Sequence, residues 1–380
     1  MRTRLSVAVT VALVVAGMVF VGRAPVHAGV QSASNYKVLD PIRHGSLTVF
    51  PVVASKSYGT AEFLTLDEGL RTGEVVVTEY GSVGGLLRRR GTPAIRHDAE
   101  VNRLVLVNNS KRPLLLLAGE IVTGGKQDRV IGMDRIVPAE SDPVDLSVFC
   151  VEPGRWVATS DRFGASGTTY APGNGGKVGG ESAATMMAQP SVRAKAMGEK
   201  DQNQVWAEVR KQQSSMAVEV MSATPAASTE IRSTSSYPRI MENKDVKEKV
   251  DEVAQPIEKN YQSLIQQLRD RKAVGVVVAV NGRIIWSDIF ASTELLEKYW
   301  PKLVRSYASE AVVTRAKGEE ASLTQAEKFL AETDGRKETI ESEPGIYRHT
   351  EVYGDGFKVF ALMSLLPKTG FEVHVAKMAE

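Results

Sequence analysis

Between Ser46 and Arg155, apolar residues fall in short alternating or continuous runs separated by turn residues, the pattern of strands. The runs are Leu47–Val53, Glu74–Tyr80, Arg103–Asn108, Leu114–Val122, Arg129–Val137 and Val144–Val151. One short helix interrupts them, opened by Thr65 with Glu68 three residues on, a capping-box spacing. Regular strand spacing without long intervening helices predicts an antiparallel sandwich or barrel.

From Val157 to Pro190 the periodicity vanishes among Gly, Ser, Thr and Ala, a composition that buries little apolar area and predicts a flexible segment. A second irregular stretch is expected from Ser222 to Tyr237. Beyond it, Val246, Val250, Val253, Ile257, Tyr261, Leu264 and Leu268 form a helical stripe, with Pro256 predicting a kink or break near Gln255. Val274–Val280 and Arg283–Phe290 flank Asn281-Gly282, whose residue types suit a type I′ turn, and predict a hairpin. Leu295, Tyr299, Leu303 and Tyr307 mark another helix, interrupted at Pro301. Ser322 with Gln325 opens a further helix that Gly335 closes, and Tyr347–Tyr353, Phe357–Leu362 and Phe371–Val375 read as late strands. The expected class is α+β: a β-rich region over 46–156, a flexible segment over 157–190, and a mixed region over 191–376 built on the 274–290 hairpin.

The first 28 residues stand apart. Arg2 and Arg4 precede an uncharged run from Leu5 to Gly22, and Val26-His27-Ala28 supplies a small-x-small exit. These are the parts of a signal peptide, so the expected location is periplasmic or extracellular, with an uncleaved signal anchor as the alternative. The 380-residue chain carries 47 Lys+Arg against 45 Asp+Glu. Arg2, Arg4 and Arg23 lie in the leader, which holds no acid, so the mature chain has one basic residue fewer than acidic ones. That balance argues against nucleic-acid binding. A single cysteine excludes an internal disulfide framework, and five dispersed histidines offer no zincin-type pair, so no metal or cofactor is expected.

Two stretches carry candidate chemistry. In the first, four leucines, Leu114 to Leu117, lead into Gly119-Glu120 and then Gly124-Gly125-Lys126-Gln127-Asp128-Arg129. A strand of four leucines is buried on both faces, and Gly124-Gly125 can turn several backbone N–H groups toward one point. Lys126, Gln127 and Arg129 then suit a phosphate or carboxylate, whereas the bland alternative is a solvated hairpin tip. It is not a Walker A loop, because Glu120 replaces the first glycine and Gln127 the Ser/Thr that would hold magnesium. In the second, Cys150-Val-Glu152-Pro-Gly154-Arg155-Trp156 places Cys150 and Glu152 on one strand face before a Pro-Gly turn. Cys150 is a candidate nucleophile or a small buried hydrophobe, and Arg155 with Trp156 could grip and stack on an anion. Glu120 and Glu152 are the candidate general acid or base. Arg88-Arg89-Arg90 reads as a solvated turn and His97-Asp98 is given no role.

Taken in order, Leu117-Ala-Gly119-Glu120, Gly125-Lys126-Gln127-Asp128-Arg129 and Cys150-Val-Glu152-Pro-Gly154-Arg155-Trp156 resemble the signature of the ARG and rhodanese-phosphatase-superfamily-associated protein domain family. Gln204-Val-Trp206-Ala-Glu208-Val209 and the hairpin from Val276 to Phe290 are similar to its later portion. Departures are Asp128, where an asparagine is expected, and the Gly-rich expansion. The resemblance implies a role around ADP-ribose or related nucleotides, carried over onto Glu120, Lys126, Gln127, Arg129, Cys150, Glu152, Arg155 and Trp156, and implies no reaction. An extracytoplasmic address points to a different anion or to extracytoplasmic nucleotides. The alternative is a noncatalytic envelope scaffold or interaction protein.

Overall fold

The computed structural model describes residues 35–79, 103–155, 160, 162–164, 169–170, 177–178, 186–267, 272–315 and 319–380. The leader, the Arg88 run, His97-Asp98, Trp156 and most of the Gly-rich segment lie outside the described residues. Helices and antiparallel sheets are both abundant, the expected α+β mixture.

The strand-rich region closes into a six-stranded barrel. Val75–Glu79 pairs with Arg103–Asn108, which pairs with Val144–Cys150, then Arg129–Ile131, then Glu120–Gly124. Phe163–Gly164 bridges Glu120–Gly124 back to Val75–Glu79 and closes the ring. Its interior is aliphatic, with Val77, Leu104, Leu106, Val122, Ile131 and Val148 all buried. Closure removes the open edges that a six-stranded sheet would expose.

Two long runs expected as single strands are each split. Leu114–Leu116 and Glu120–Gly124 are separated by a turn at Gly119, whose φ is 97°. Arg129–Ile131 and Arg135–Val137 are likewise separate. Leu114–Leu116 leaves the barrel to pair with Arg135–Val137 and, in parallel, with Leu64–Thr65. The leucines are buried on both sides as their composition requires: Leu114 and Leu116 face the barrel core, Leu115 and Leu117 the central core. The Thr65–Glu68 capping box forms as its spacing predicts.

A nine-stranded antiparallel sheet organises the rest. Its central pair is the hairpin of Lys272–Val280 and Arg283–Phe290. Asn281 and Gly282 take φ of 49° and 83°, the positive values that a type I′ turn demands. Glu372–Ala379 adds to one side, followed by Phe357–Ser364, Tyr347–Tyr353 and Arg336–Glu343. Leu47–Ala54 adds to the other side, so the first strand of the 46–156 region belongs to this sheet rather than to the barrel. All eight of its residues are buried, which explains the pairing: one face packs into the core under the long helices and the other into the core beneath the helix Leu323–Ala331. The two halves of the chain therefore share one sheet.

The helices Gln202–Met221, Lys244–Gln267 and Thr293–Val313 cover one face and make the largest core. Leu323–Ala331, with its Ser322–Gln325 capping box, covers the other and ends at Glu332, before Gly335. Neither expected proline interruption breaks a helix: Lys244–Gln267 runs through Pro256 and Thr293–Val313 through Pro301. Packing of their buried stripes on each other, with Tyr261 stacked on Trp300 at 4.3 Å, outweighs the missing N–H bond. The stretch expected to be irregular from Ser222 holds a helix, Pro225–Ser233, because Pro225 sits in the first turn where no N–H is needed. Among the described residues no helix is long and apolar enough to cross a membrane.

Candidate functional site

The 124–129 segment is the hairpin loop joining barrel strands Glu120–Gly124 and Arg129–Ile131. Arg129 lies opposite Cys150 on the next strand, so the register alone brings both candidate stretches to one end of the barrel. Gly125, at φ 52°, is where the loop needs glycine: a Cβ there would meet the Phe163 ring at 2.3 Å and Glu79 Oε1 at 2.6 Å.

Arg155 ties the two stretches together. Its Nε donates to Glu152 Oε2 at 2.6 Å, its Nη1 to the Gly125 carbonyl at 2.8 Å, and its Nη2 to Asp128 Oδ1 at 3.4 Å. Glu152 Oε2 also accepts from the Asp128 amide at 3.2 Å. Asp128 Oδ1 accepts from the Gly124 amide, and its Oδ2 from the Ser236 hydroxyl at 2.8 Å. Burial and then the neighbouring Glu152 charge push the Asp128 carboxyl up to about 6. A carboxyl poised there can give or take a proton near neutral pH.

On the other side of the loop, Glu79 Oε1 accepts from the Lys126 amide at 2.9 Å and lies 3.9 Å from Arg129 Nη2. Arg129 is buried and donates to the Gln127 carbonyl at 2.6 Å, while the Lys126 side chain is half-buried at the tip. The Gln127 side chain is fully enclosed, and neither its Oε1 nor its Nε2 has a hydrogen-bond partner among the described residues. Glu79 Oε2 is enclosed and likewise has none among them. Three carboxylates, Glu79, Asp128 and Glu152, thus surround Arg129 and Arg155, so the loop is a mixed-charge cluster rather than a cationic cradle.

The remaining candidates divide. Glu120 does not join the cluster: it is fully buried, its Oε1 paired with Lys302 and its Oε2 accepting from the Leu117 amide at 2.8 Å. Burial raises its carboxyl even against the Lys302 charge. Lys302 also reaches Asp67 at 2.7 Å, making a buried ion triad between barrel and helix layer. Cys150 is buried, its backbone bracketed by the Gln202 amide at 2.8 and 2.9 Å, and burial pushes its thiol up to about 11. Burial of this kind disfavours the thiolate that a nucleophile needs. Trp156 lies outside the described residues. Glu79 and Ser236 were not foreseen, since they approach from 45 or more residues away; only Glu79's place at a strand end near the barrel rim hinted at it. Among the described residues no group of three His, Cys, Asp or Glu is placed to hold a metal ion.

A family model matches residues 35–377, nearly all of the described chain: ARPP-1, the ARG and Rhodanese-Phosphatase-superfamily-associated Protein domain. The chain belongs to this family. No curated protein and no solved structure matches it. The three signature stretches of this ARPP-1 domain therefore have a structural account. Two of them, 125–129 and 150–155, build one polar cluster at the barrel end, and the third, 117–120, anchors the barrel to the helices.

Proposed function

We propose that this ARPP-1 domain is an exported binding protein for a small anionic ligand, with nucleotide-like compounds related to ADP-ribose as the class to test. The observation that carries the reading is the Gln127 amide, enclosed at the loop yet without a partner on either atom. An unmade buried hydrogen bond costs about 1–3 kcal/mol, so such a group is expected to have a partner that the described residues do not supply. A ligand bearing both donors and acceptors, entering beside Gln127 and Glu79, would satisfy them, with Lys126 at the tip facing its negative charge. Asp128 is the group suited to proton transfer if the ligand is also processed.

Isothermal titration of the full mature chain with ADP-ribose, ADP, ribose 5-phosphate and inorganic phosphate tests this. Saturable heat that is lost in Lys126→Ala and Gln127→Met supports it. No heat with any of the four, or heat unaffected by both substitutions, rejects it. The export half is tested separately by fractionation and N-terminal sequencing, with Gly29 expected as the first residue of the mature chain.

A second reading, a noncatalytic envelope scaffold or interaction protein, is favoured by Glu120. That signature residue is wholly buried in an ion triad with Lys302 and Asp67, contacts that tie elements of the fold together.

A further inference from the structure

Five side chains from five separated segments meet in the interior between barrel and sheet: Asp134, Arg193, Asp288, Tyr307 and His374. All are without solvent exposure. Asp288, on the Arg283–Phe290 strand, takes a bidentate pair from Arg193 at 2.9 Å on each oxygen, and the Tyr307 hydroxyl as well. His374, on the last strand, bridges two carboxylates: Nδ1 to Asp134 Oδ2 at 2.5 Å and Nε2 to Asp288 Oδ1 at 3.1 Å. The Phe290 ring lies 4.6 Å from the imidazole, and Trp286 stacks on Arg193 at 4.4 Å. Asp134 also acts electrostatically on His349, on Arg193 and on Tyr299.

The charges decide the state of the imidazole. Two carboxylates and one guanidinium leave a net negative charge in a site without water access. Only an imidazolium brings the sum to zero, and it alone can donate to both carboxylates at once. Asp134 Oδ1 meanwhile accepts from the Ala118 amide at 2.7 Å. Ala118 immediately precedes the Gly119 turn, and from there Glu120–Gly124 runs into the candidate loop.

We infer that His374 is a proton-dependent clasp: as an imidazolium it holds Asp134, and through it the segment leading to the candidate loop, against the nine-stranded sheet. As a control on the loop it rests on the ligand-site reading above. Loss of the proton removes one of the two donors that the carboxylates share and leaves Asp134 charged, buried and underpaired. Burial opposes the charge on His374, but Asp134 and then Asp288 overcome it and hold the ring protonated up to about 9. His349, enclosed without a hydrogen bond to either ring nitrogen among the described residues and with Glu351 no nearer than 4.0 Å, is pushed below its ordinary value by burial despite Asp134 and Glu351. The clasp is therefore closed at neutral pH and opens on the alkaline side.

The test uses the ligand-free full-length protein, followed by NMR from about pH 7 to about pH 10. The His374 ring is expected to titrate near 9, and hydrogen-exchange protection of the Ala118 amide to fall by roughly tenfold or more. Protection at Val277, in the middle of the nine-stranded sheet, should not fall with it. His374→Gln should show at pH 7 the weak Ala118 protection of the wild type at high pH. A His374 ring titrating at or below the ordinary value of about 6.5, or Ala118 protection that tracks Val277, overturns the clasp. If His374→Gln does not fold, the wild-type titration and exchange decide alone. Calorimetry at pH 7 reports on the ligand reading independently, so failure of one leaves the other standing.

Discussion

Gln127 is buried with neither polar atom of its side chain partnered among the described residues. Substitution by methionine removes two unpartnered polar atoms at similar length, so the ligand-free protein should gain about 1–3 kcal/mol while losing ligand binding. Urea unfolding with and without ADP-ribose reads both effects. Glu120 behaves in the opposite way, because its partners are all present. Lys302→Met strands the Glu120 carboxylate in the interior and should cost about 3–5 kcal/mol, whereas Glu120→Leu with Lys302→Met should recover most of that loss. A double-mutant cycle in urea checks the pair. Of the eight signature residues, Glu152 and Arg155 meet as their three-residue spacing allows. Cys150 resolves into the bland alternative, a buried thiol, which exposure and not identity decides.

At the scale of elements, local signals succeeded where the determinant is local. The two capping boxes and the Asn281-Gly282 turn form because a few adjacent residues satisfy their own backbone. Gly282→Ala should accordingly cost about 1 kcal/mol, since alanine must adopt φ of 83°; thermal unfolding reads it. Local signals failed where packing overrides propensity. Pro256 predicts a kink or a break, and the helix is not broken there: the stripe of Val246, Val250, Ala254, Ile257 and Tyr261 is buried along a continuous Lys244–Gln267. Pro256→Ala should therefore restore a helix bond and stabilise by about 1–3 kcal/mol, read by urea unfolding. The Arg336–Glu343 strand gave no apolar signal because it is a largely exposed edge rich in charge, the composition that discourages further pairing.

Over the whole molecule, buried titratable groups set a dome of stability against pH. Asp134 and Asp288 are held below their ordinary values, the first by His374 against its burial, the second by Arg193 and His374. Their contribution is present above the unfolded value of about 4 and lost as pH falls through the folded ones. Asp128 has the opposite sign: its folded value of about 6 means stability rises as pH falls from about 7 toward 4. His374, raised to about 9, contributes fully below about 6.5 and loses that contribution as pH climbs through 9. Lys377, lowered to about 8 by burial, runs against it above that pH. The maximum should thus lie on the acid side of neutral, and urea midpoints from pH 3 to 10 would locate it. Asp128→Asn should flatten the limb between about pH 4 and 7 and leave the alkaline limb intact.

The sequence by itself determined the class, five of the six strands of the barrel, the turn of the central hairpin and the two stretches that meet at one barrel end. Each of these rests on apolar periodicity or on backbone groups satisfied within a few residues. The closing strand Phe163–Gly164 falls in the stretch read as flexible. Only the tertiary structure decided that Leu47–Ala54 crosses to the other sheet, that Glu79 and Ser236 complete the loop cluster, and that Asp134, Asp288 and His374 share a proton-dependent charge balance. Those pairings join residues from 47 to 240 positions apart. What selects them is the cost of burying a charge or a strand edge without its partner, and that cost exists only once the chain has closed around it.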